Sequence, residues 1–124
     1  MELTQPPAQG RQVIQSYGDG GFRIAGVRYQ GAVLVFPLRT IAWAVTSADA
    51  LDIAHLRPLA EAPGEVDVLL VGTGAASSVP PRELRAALRE LGINVETMTT
   101  SAACRTFNVL LAEERKVAAA LIPV

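Results

Sequence analysis

The run VDVLLVG, residues 66–72, constrains the fold more than any other stretch because it is almost continuously apolar. A strand buried on both faces has this composition, whereas a strand with one wet face alternates apolar and polar residues. Alternating helix-like and strand-like segments follow it, at 80–92, 93–98, 101–114 and 117–124. This order predicts parallel strands joined by right-handed helical crossovers.

The helix predicted over 80–92 has clear signals at both ends. Prolines stand at its start, where the missing N–H of a proline costs no helical hydrogen bond. Gly92 follows its last turn, where a helix C-cap favours glycine. Four apolar residues share one helical face and are predicted to point inward: Leu84, Ala87, Leu88 and Leu91.

Short strands and turn signals dominate the first half of the chain. Residues 12–17 alternate apolar and polar side chains, GDGG at 18–21 supplies turn residues, and 22–36 contains strand-like runs that end before Pro37. Residues 40–45 form one more predicted strand, which carries the only tryptophan. This spacing predicts an antiparallel meander.

A short helix over 50–56 is predicted between the two halves. Thr46 and Asp49 fit a capping pattern before it. We expect the helix to stop near Pro58, because the residue before a proline disfavours helical backbone. The proline–glycine pair at 63–64 then marks a turn ahead of the buried strand.

These patterns together predict the α/β class and a single domain over 12–124. We expect a central mixed sheet with parallel β-α-β units in its second half, helices packed on it and an N-terminal antiparallel β layer. Residues 1–11 are polar and contain prolines, and they are predicted to form a flexible N-terminal arm. A chain of 124 residues can fold around its own core without metal or disulfide links.

Composition argues against several classes of function. The net charge of −1 gives no broad basic surface, so we expect no nucleic-acid partner. The only cysteine has no disulfide or zinc-binding partner, and His55 has only Asp52 at ligand spacing, so no metal and no cofactor are predicted. The N-terminus lacks a signal-peptide pattern, and no apolar run approaches the roughly 20 residues of a membrane span. We therefore expect a cytoplasmic protein without membrane insertion.

The segment Gly72-Thr73-Gly74, directly after the buried strand, admits two interpretations. Phosphate-binding loops begin in this way, because glycines let backbone N–H groups approach an anion near a helix N-terminus. Ser77 would then line the site, and Glu96, at the end of the next predicted strand, would occupy the region of a ribose-binding carboxylate. However, Ser77 stands where the dinucleotide-binding pattern has its third glycine. A plain tight turn is therefore the other interpretation.

Cys104 lies near the start of the last predicted helix, where the helix dipole favours a thiolate. A nucleophile also needs a base, and the only histidine lies in another element. The predicted inward face consists of Ala103, Phe107 and Leu110, with Leu111 beside it. Cys104 falls on the flank of that face, and cysteine is among the residue types most often buried. We therefore favour packing over chemistry for this thiol.

Three stretches carry a resemblance to a known family: YGDGGFRIAGVRYQGAVLVFP at 17–37, VLLVGTG at 68–74 and GINVETMTTSAACRTFNVLLAEERKVAAALIP at 92–123. They resemble domain-of-unknown-function family 498, which includes small bacterial and archaeal proteins and the mitochondrial respiratory complex I assembly factor 3. The resemblance implies an α/β domain with a mixed sheet and an extra β layer, with no established activity or cofactor. The family residues that it places in this chain are Gly72, Gly74, Glu96, Thr100, Cys104, Arg105, Thr106, Asn108 and Glu114.

The main functional hypothesis is a non-catalytic module that binds another protein, in the manner of an assembly factor. Arg105 and Val109 point away from the predicted inner face of the last helix, and such a pair suits a protein interface. A homodimer through that helix or through an edge strand is a further hypothesis.

The alternative is a binder of a small anion or nucleotide-like ligand, or an enzyme. It would use the carboxyl ends of the parallel strands, where open α/β sheets bind ligands. Thr73, Ser77, Cys104 and Arg105 should then border one cleft. The residues assigned to this alternative are Gly72, Thr73, Gly74, Ser77, Glu96, Thr100, Cys104 and Arg105.

Overall fold

The computed structural model describes residues 10–45, 47 and 53–124. Most of the predicted arm over 1–11 lies outside the described residues. The predicted cap residues Thr46 and Asp49 lie outside them as well, together with the first part of the predicted helix over 50–56.

The described strands form two sheets. The first consists of three antiparallel strands in sequence order: β1 (Ile14–Gly18), β2 (Gly21–Ile24) and β3 (Val27–Gln30). The second consists of five: β4 (Ala32–Val35), β5 (Thr40–Trp43), β6 (Val68–Gly72), β7 (Asn94–Met98) and β8 (Val117–Leu121). Its order is β5-β4-β8-β6-β7, with β6 parallel to both neighbours and β4 antiparallel to both of its own. The predicted mixed sheet with parallel β-α-β units is confirmed.

Three α-helices and a 3-10 turn complete the described structure. The 3-10 turn, Ile53–Leu56, leads directly into α1 (Arg57–Ala60). The other helices are crossovers: α2 (Arg82–Glu90) joins β6 to β7, and α3 (Thr100–Ala112) joins β7 to β8. The expectation that the first helix stops near Pro58 is wrong. Pro58 lies in the first turn of α1, where an N–H would have no helical acceptor in any case.

The five-stranded sheet is the middle of three layers. Leu69 and Val71 of β6 belong to one buried cluster, together with Leu84 and Leu88 of α2. Leu70, between them in the strand, belongs to the other cluster with buried side chains of α3 and the three-stranded sheet. Because β6 is covered on both faces, its sequence has no polar alternation.

The predicted antiparallel meander extends only through β3. β4 leaves the outer sheet and pairs with β5 and β8, so the first half contributes strands to both sheets. The burial pattern gives the reason, since every residue of β4 is buried whereas β3 is mostly exposed. An apolar strand removes more surface from water in a middle layer than in an outer one.

The apolar face of α2 is shorter than predicted. Leu84 and Leu88 are buried as expected, but Leu91 is 40% exposed. The helix stops at Glu90, and Leu91 is the C-cap residue. The Leu91 side chain therefore does not lie on the buried face where continued helical spacing would have put it.

Gly92 caps α2 as predicted. Its φ is +79°, a left-handed backbone that glycine adopts at little cost. The Gly92 N–H donates to the Arg89 carbonyl at 2.9 Å, and the Ile93 N–H donates to the Leu88 carbonyl at 3.0 Å. These two bonds form a Schellman motif, with Leu88 and Ile93 in the same apolar cluster.

The inward face of α3 is centred differently from the prediction. Cys104 lies within the buried face rather than on its flank, and Leu110 is only half-buried. The side chains that point inward lie three or four residues apart, starting at Thr100, the first residue of α3. The buried residues of α3 are Thr100, Ala103, Cys104, Phe107 and Leu111.

α3 ends on the same kind of motif, but without a glycine. The Glu114 N–H donates to the Leu111 carbonyl at 3.0 Å, and the Arg115 N–H donates to the Leu110 carbonyl at 3.0 Å. Glu114 therefore occupies the left-handed position, with φ of +59°. A side chain at this backbone conformation is under steric strain.

We expect Glu114→Gly to raise the free energy of unfolding by about 0.5–1 kcal/mol, the cost of left-handed backbone less the chain entropy that glycine adds to the unfolded state. Urea denaturation measures the change. The control is Glu113→Gly, because Glu113 has a φ of −86° and no such strain. Equal effects of the two substitutions would contradict this account of Glu114.

Candidate functional site

The carboxyl ends of β6, β7 and β8 meet at one edge of the central sheet. Gly72 is in register with Met98 on one side and with Leu121 on the other. The loop 73–78 leaves this edge after β6, and α3 begins just after β7. Open α/β sheets bind ligands at such an edge, so it is the place to look for the predicted site.

Thr100, the first residue of α3, closes this edge. Its side chain is fully buried, and its hydroxyl donates to the Ile122 carbonyl at 2.6 Å and accepts from the Gly74 N–H at 2.9 Å. The Thr100 N–H donates to the Gly74 carbonyl at 2.9 Å, and the Ile122 N–H donates to the Gly72 carbonyl at 2.9 Å. The chain segments that leave β6 and β8 are thus bonded to each other and to the start of α3.

The two glycines of the loop have different reasons to be glycine. A Cβ atom on Gly72 would lie 2.9 Å from the Thr100 Cα and 3.0 Å from the Leu121 Cδ2. Gly72 is therefore a packing residue that lets α3 begin against the end of β6. Gly74 has open space beside it but a φ of +101°, which favours glycine for conformational reasons.

The loop after β6 uses its own polar groups. The Thr73 N–H donates to the Met98 carbonyl at 2.9 Å, and the Ser78 N–H donates to the Thr73 hydroxyl at 3.2 Å. The Thr73 hydroxyl in turn donates to the Ala76 carbonyl at 2.7 Å. A phosphate-binding loop instead keeps its N–H groups available for the anion. The geometry fits a closed turn, with Ser77 exposed on its outside.

Two further features separate this loop from a nucleotide-binding one. The first turn of α2 starts at Arg82, so the glycines do not open directly onto a helix N-terminus. Glu96, expected at the end of its strand, lies in the middle of β7 opposite Leu70 and is exposed. That expectation is wrong, because β7 runs to Met98, as the predicted range 93–98 implies, and Glu96 is two residues short of that end.

Cys104 is fully buried in the apolar cluster between the central sheet and α3. Burial raises the pKa of its thiol from 9.0 to about 12, and the charge of neighbouring Arg105 offsets this only in part. The thiol is packed in the core, as favoured from the sequence, although within the buried face rather than on its flank, and it is neutral near pH 7. Arg105 is exposed on the outer side of α3. The structure therefore does not bring Thr73, Ser77, Cys104 and Arg105 to the border of one cleft.

Asn108 has a structural role to which the sequence analysis assigned no contact. Its side-chain amide pairs with the backbone of β1, in the outer sheet. The Ile14 N–H donates to Asn108 Oδ1 at 2.9 Å, and Asn108 Nδ2 donates to the Ile14 carbonyl at 2.9 Å. The amide thus fixes the outer sheet to α3. Arg11 adds a second link, through a guanidinium bond to the Leu111 carbonyl.

A basic surface on α2 was not foreseen. Arg85 and Arg89 border a groove of about 650 Å³ on the outer side of α2 and a smaller one of about 130 Å³ that reaches β7. The sequence contains arginines at helical spacing that could have indicated this surface. The net charge of the chain does not show it, because that sum ignores where the charges lie. The larger groove is lined by Val79, Pro80, Arg82, Arg85, Ala86 and Arg89.

Over the part of the chain that the structure describes, no group of three His, Cys, Asp or Glu side chains is placed to hold a metal ion. Among the same residues, no helix has the length and hydropathy of a bilayer span.

Residues 14–122 match the family described as protein of unknown function (DUF498/DUF598). A Danio rerio protein named NADH dehydrogenase (ubiquinone) 1 alpha subcomplex assembly factor 3 is 36% identical over 99% of this chain and 71% of its own length.

Two solved structures share the fold and much of the sequence. One, described as an outer membrane protein from Bartonella henselae, has a TM-score of 0.85 and 43% identity, covering 93% of this chain and 97% of that chain. The other, a Bordetella pertussis protein described as an Mth938-like domain, has a TM-score of 0.84 and 32% identity, covering 99% of this chain and 92% of that chain.

We expect Thr100→Val to lower the free energy of unfolding by about 2–4 kcal/mol, because it leaves the buried Gly74 N–H and Ile122 carbonyl without partners. Chemical denaturation checks this value. Thr106→Val is the matched control, since Thr106 is half-buried in the same helix, and we expect it to change stability by less than about 0.5 kcal/mol. Similar losses for both variants would contradict the role assigned to Thr100.

The raised pKa of Cys104 makes stability depend on pH in a defined direction. The unfolded state loses the thiol proton first as pH rises, so stability that is complete below pH 9 is lost progressively up to pH 12. Between pH 8 and pH 10, the unfolding free energy should fall by about 1.4 kcal/mol more than in Cys104→Ala. Urea unfolding under reducing conditions gives both values, and identical pH dependence in the two proteins would contradict the prediction.

Proposed function

Because the chain belongs to the DUF498/DUF598 family, we propose that it is a non-catalytic protein-interaction module that acts in the manner of an assembly factor. The relative from Danio rerio carries the name of an assembly factor of a respiratory enzyme, and a factor of that kind works by binding other proteins. We place the function in the cytoplasm, as the composition of the chain predicts.

The observation that carries the proposal is the closed carboxyl edge of the central sheet. Thr100 and Thr73 bond the Gly74 and Ser78 N–H groups and the Ile122 and Ala76 carbonyls at this edge. A small ligand that used these groups would first have to break their bonds, which is why protein binding is the function that we propose. Binding by the outer surface needs no such rearrangement.

The outer side of α3 is the first surface to consider. Val109 is 57% exposed, and Arg105 lies one helical turn before it, so the two side chains are neighbours on the helix surface. Arginine is enriched among residues that dominate binding energy, and an exposed apolar neighbour adds area that a partner can bury.

We expect the tagged native chain to capture a reproducible partner protein, and the double variant Arg105→Glu with Val109→Ser to capture at least about tenfold less of it. Quantitative mass spectrometry of the captured proteins gives the ratio. Val27→Ser is the control, because Val27 is also exposed, at 51%, but lies on β3.

Two results would count against these statements. Capture of no reproducible partner, together with no self-association by light scattering, would contradict the protein-binding function. Equal capture by the α3 variant and the native chain would contradict the assignment to α3.

A further inference from the structure

We propose that the outer edge of β7, with the arginines of α2 beside it, binds an extended acidic segment of a partner protein by strand addition. The inference rests on the proposed protein-binding function. It goes further by naming a second binding surface, apart from α3, and the chemistry of the partner segment that this surface binds.

β7 is an edge strand with unpaired backbone groups. The Asn94 N–H donates to the Asp67 carbonyl at 2.9 Å, and the Thr73 N–H donates to the Met98 carbonyl at 2.9 Å, so the even-numbered residues of β7 bond to β6. The intervening Val95 and Thr97 direct their N–H and C=O groups outward. Over the described part of the chain, nothing pairs with these outward groups.

The charge beside this edge is one-sided. Arg82, Arg85 and Arg89 lie on one flank of α2, whereas Glu83 and Glu90 lie on the other. None of the three arginines has an ion pair within the described residues. An anionic partner would therefore meet positive charge that no acidic side chain among the described residues pairs with.

The arginine flank and the strand edge are continuous. The smaller groove is lined by Arg85 and Arg89 together with Asn94 and Val95 of β7. A strand added to β7 would lie directly beneath the arginine flank. Main-chain bonds would supply affinity, and the side chains of the added strand would supply specificity.

The two faces of the added strand meet different surroundings. Val95 packs on the α2 face of the sheet, so Glu96, the next residue, projects from the opposite face. Alternate side chains of the partner would therefore face either the arginines or the Glu96 carboxylate. The best fit is a segment in which acidic residues alternate with uncharged ones.

Charge also argues against a second copy of this chain as the occupant. Antiparallel pairing of β7 with β7 about a two-fold axis would place both α2 helices on the same face of the joined sheet. The arginine flanks of the two copies would then face each other across the axis, and like charges at that position oppose association. An acidic partner removes that repulsion.

The test uses the full chain labelled with ¹⁵N and a short capped peptide of alternating glutamate and threonine. We expect the peptide to slow hydrogen exchange at the Val95 and Thr97 amides. The amides of Asn94 and Glu96 already bond to β6, so their exchange should change little. The same peptide with lysine in place of glutamate is the control and should not bind.

Two variants identify the contacts. Thr97→Pro removes an outward N–H and leaves the bonds between β7 and β6 intact, so we expect peptide affinity to fall by about fivefold or more. Charge reversal at Arg85 and Arg89 should reduce affinity by at least about tenfold. Charge reversal at Arg57 and Lys116, which are exposed elsewhere, changes net charge equally and should alter affinity by less than about twofold. If Thr97→Pro does not fold, the charge-reversal pair decides.

Several results would overturn this inference. They are equal binding of the lysine peptide, the same spectral changes with inorganic phosphate or an oligonucleotide, or protection of Val95 and Thr97 that depends on protein concentration without any peptide. Failure of the glutamate peptide to bind, while the native chain still captures an α3-dependent partner, would overturn the inference and leave the proposed function standing. If the glutamate peptide does not bind and the native chain captures no partner, both the inference and the proposed function would be contradicted.

Discussion

One buried hydroxyl determines the geometry of the carboxyl edge. Thr100 is the first residue of α3. Its hydroxyl accepts a hydrogen bond from the Gly74 N–H in the loop after β6 and donates one to the Ile122 carbonyl after β8. Its partners are backbone groups, and a buried backbone group without a partner is costly. Gly72 completes the junction, because only a residue without a side chain lets Thr100 approach the strand so closely. The placement of α3, and of the outer sheet that packs on α3, depends on this contact.

Because the carboxyl edge of the central sheet is closed, the surfaces available for binding lie on the sides of the molecule. The outer side of α3 presents an arginine and an apolar side chain, and the far side of the sheet presents an unpaired strand beside arginines. Both surfaces are open, and the smaller groove beside the arginines is shared with the exposed strand edge, which suits another polypeptide. Open α/β sheets commonly bind ligands at strand ends, but the accessible features of this protein lie elsewhere, so its function has to be argued from the surface.

The sequence predicted the features that local physics controls. The continuous apolar run of β6 required cover on both faces, and the glycine after α2 required a left-handed cap. Features that depend on long-range pairing were not predictable. The bond between Asn108 and Ile14 joins residues 94 positions apart, and no local pattern distinguishes it from an ordinary polar contact. Glu96 was misplaced because it was assigned to the end of a strand whose predicted range, 93–98, already extended past it. The arginine flank was hidden because a summed charge contains no direction.

The pairing of β4 with β8 has a consequence for how the molecule is made. Val33 of β4 pairs with Leu121 of β8. During synthesis, β4 therefore cannot form this pairing until both crossover helices and β8 have been made. Until then β4, buried on all positions in the finished protein, has an apolar surface and one open side. The outer sheet also lacks its attachment until α3 is made, because the side-chain amide of Asn108 on α3 bonds to Ile14. Until β8 is made, the nascent chain therefore keeps an unpaired apolar strand edge, and such edges favour mispairing.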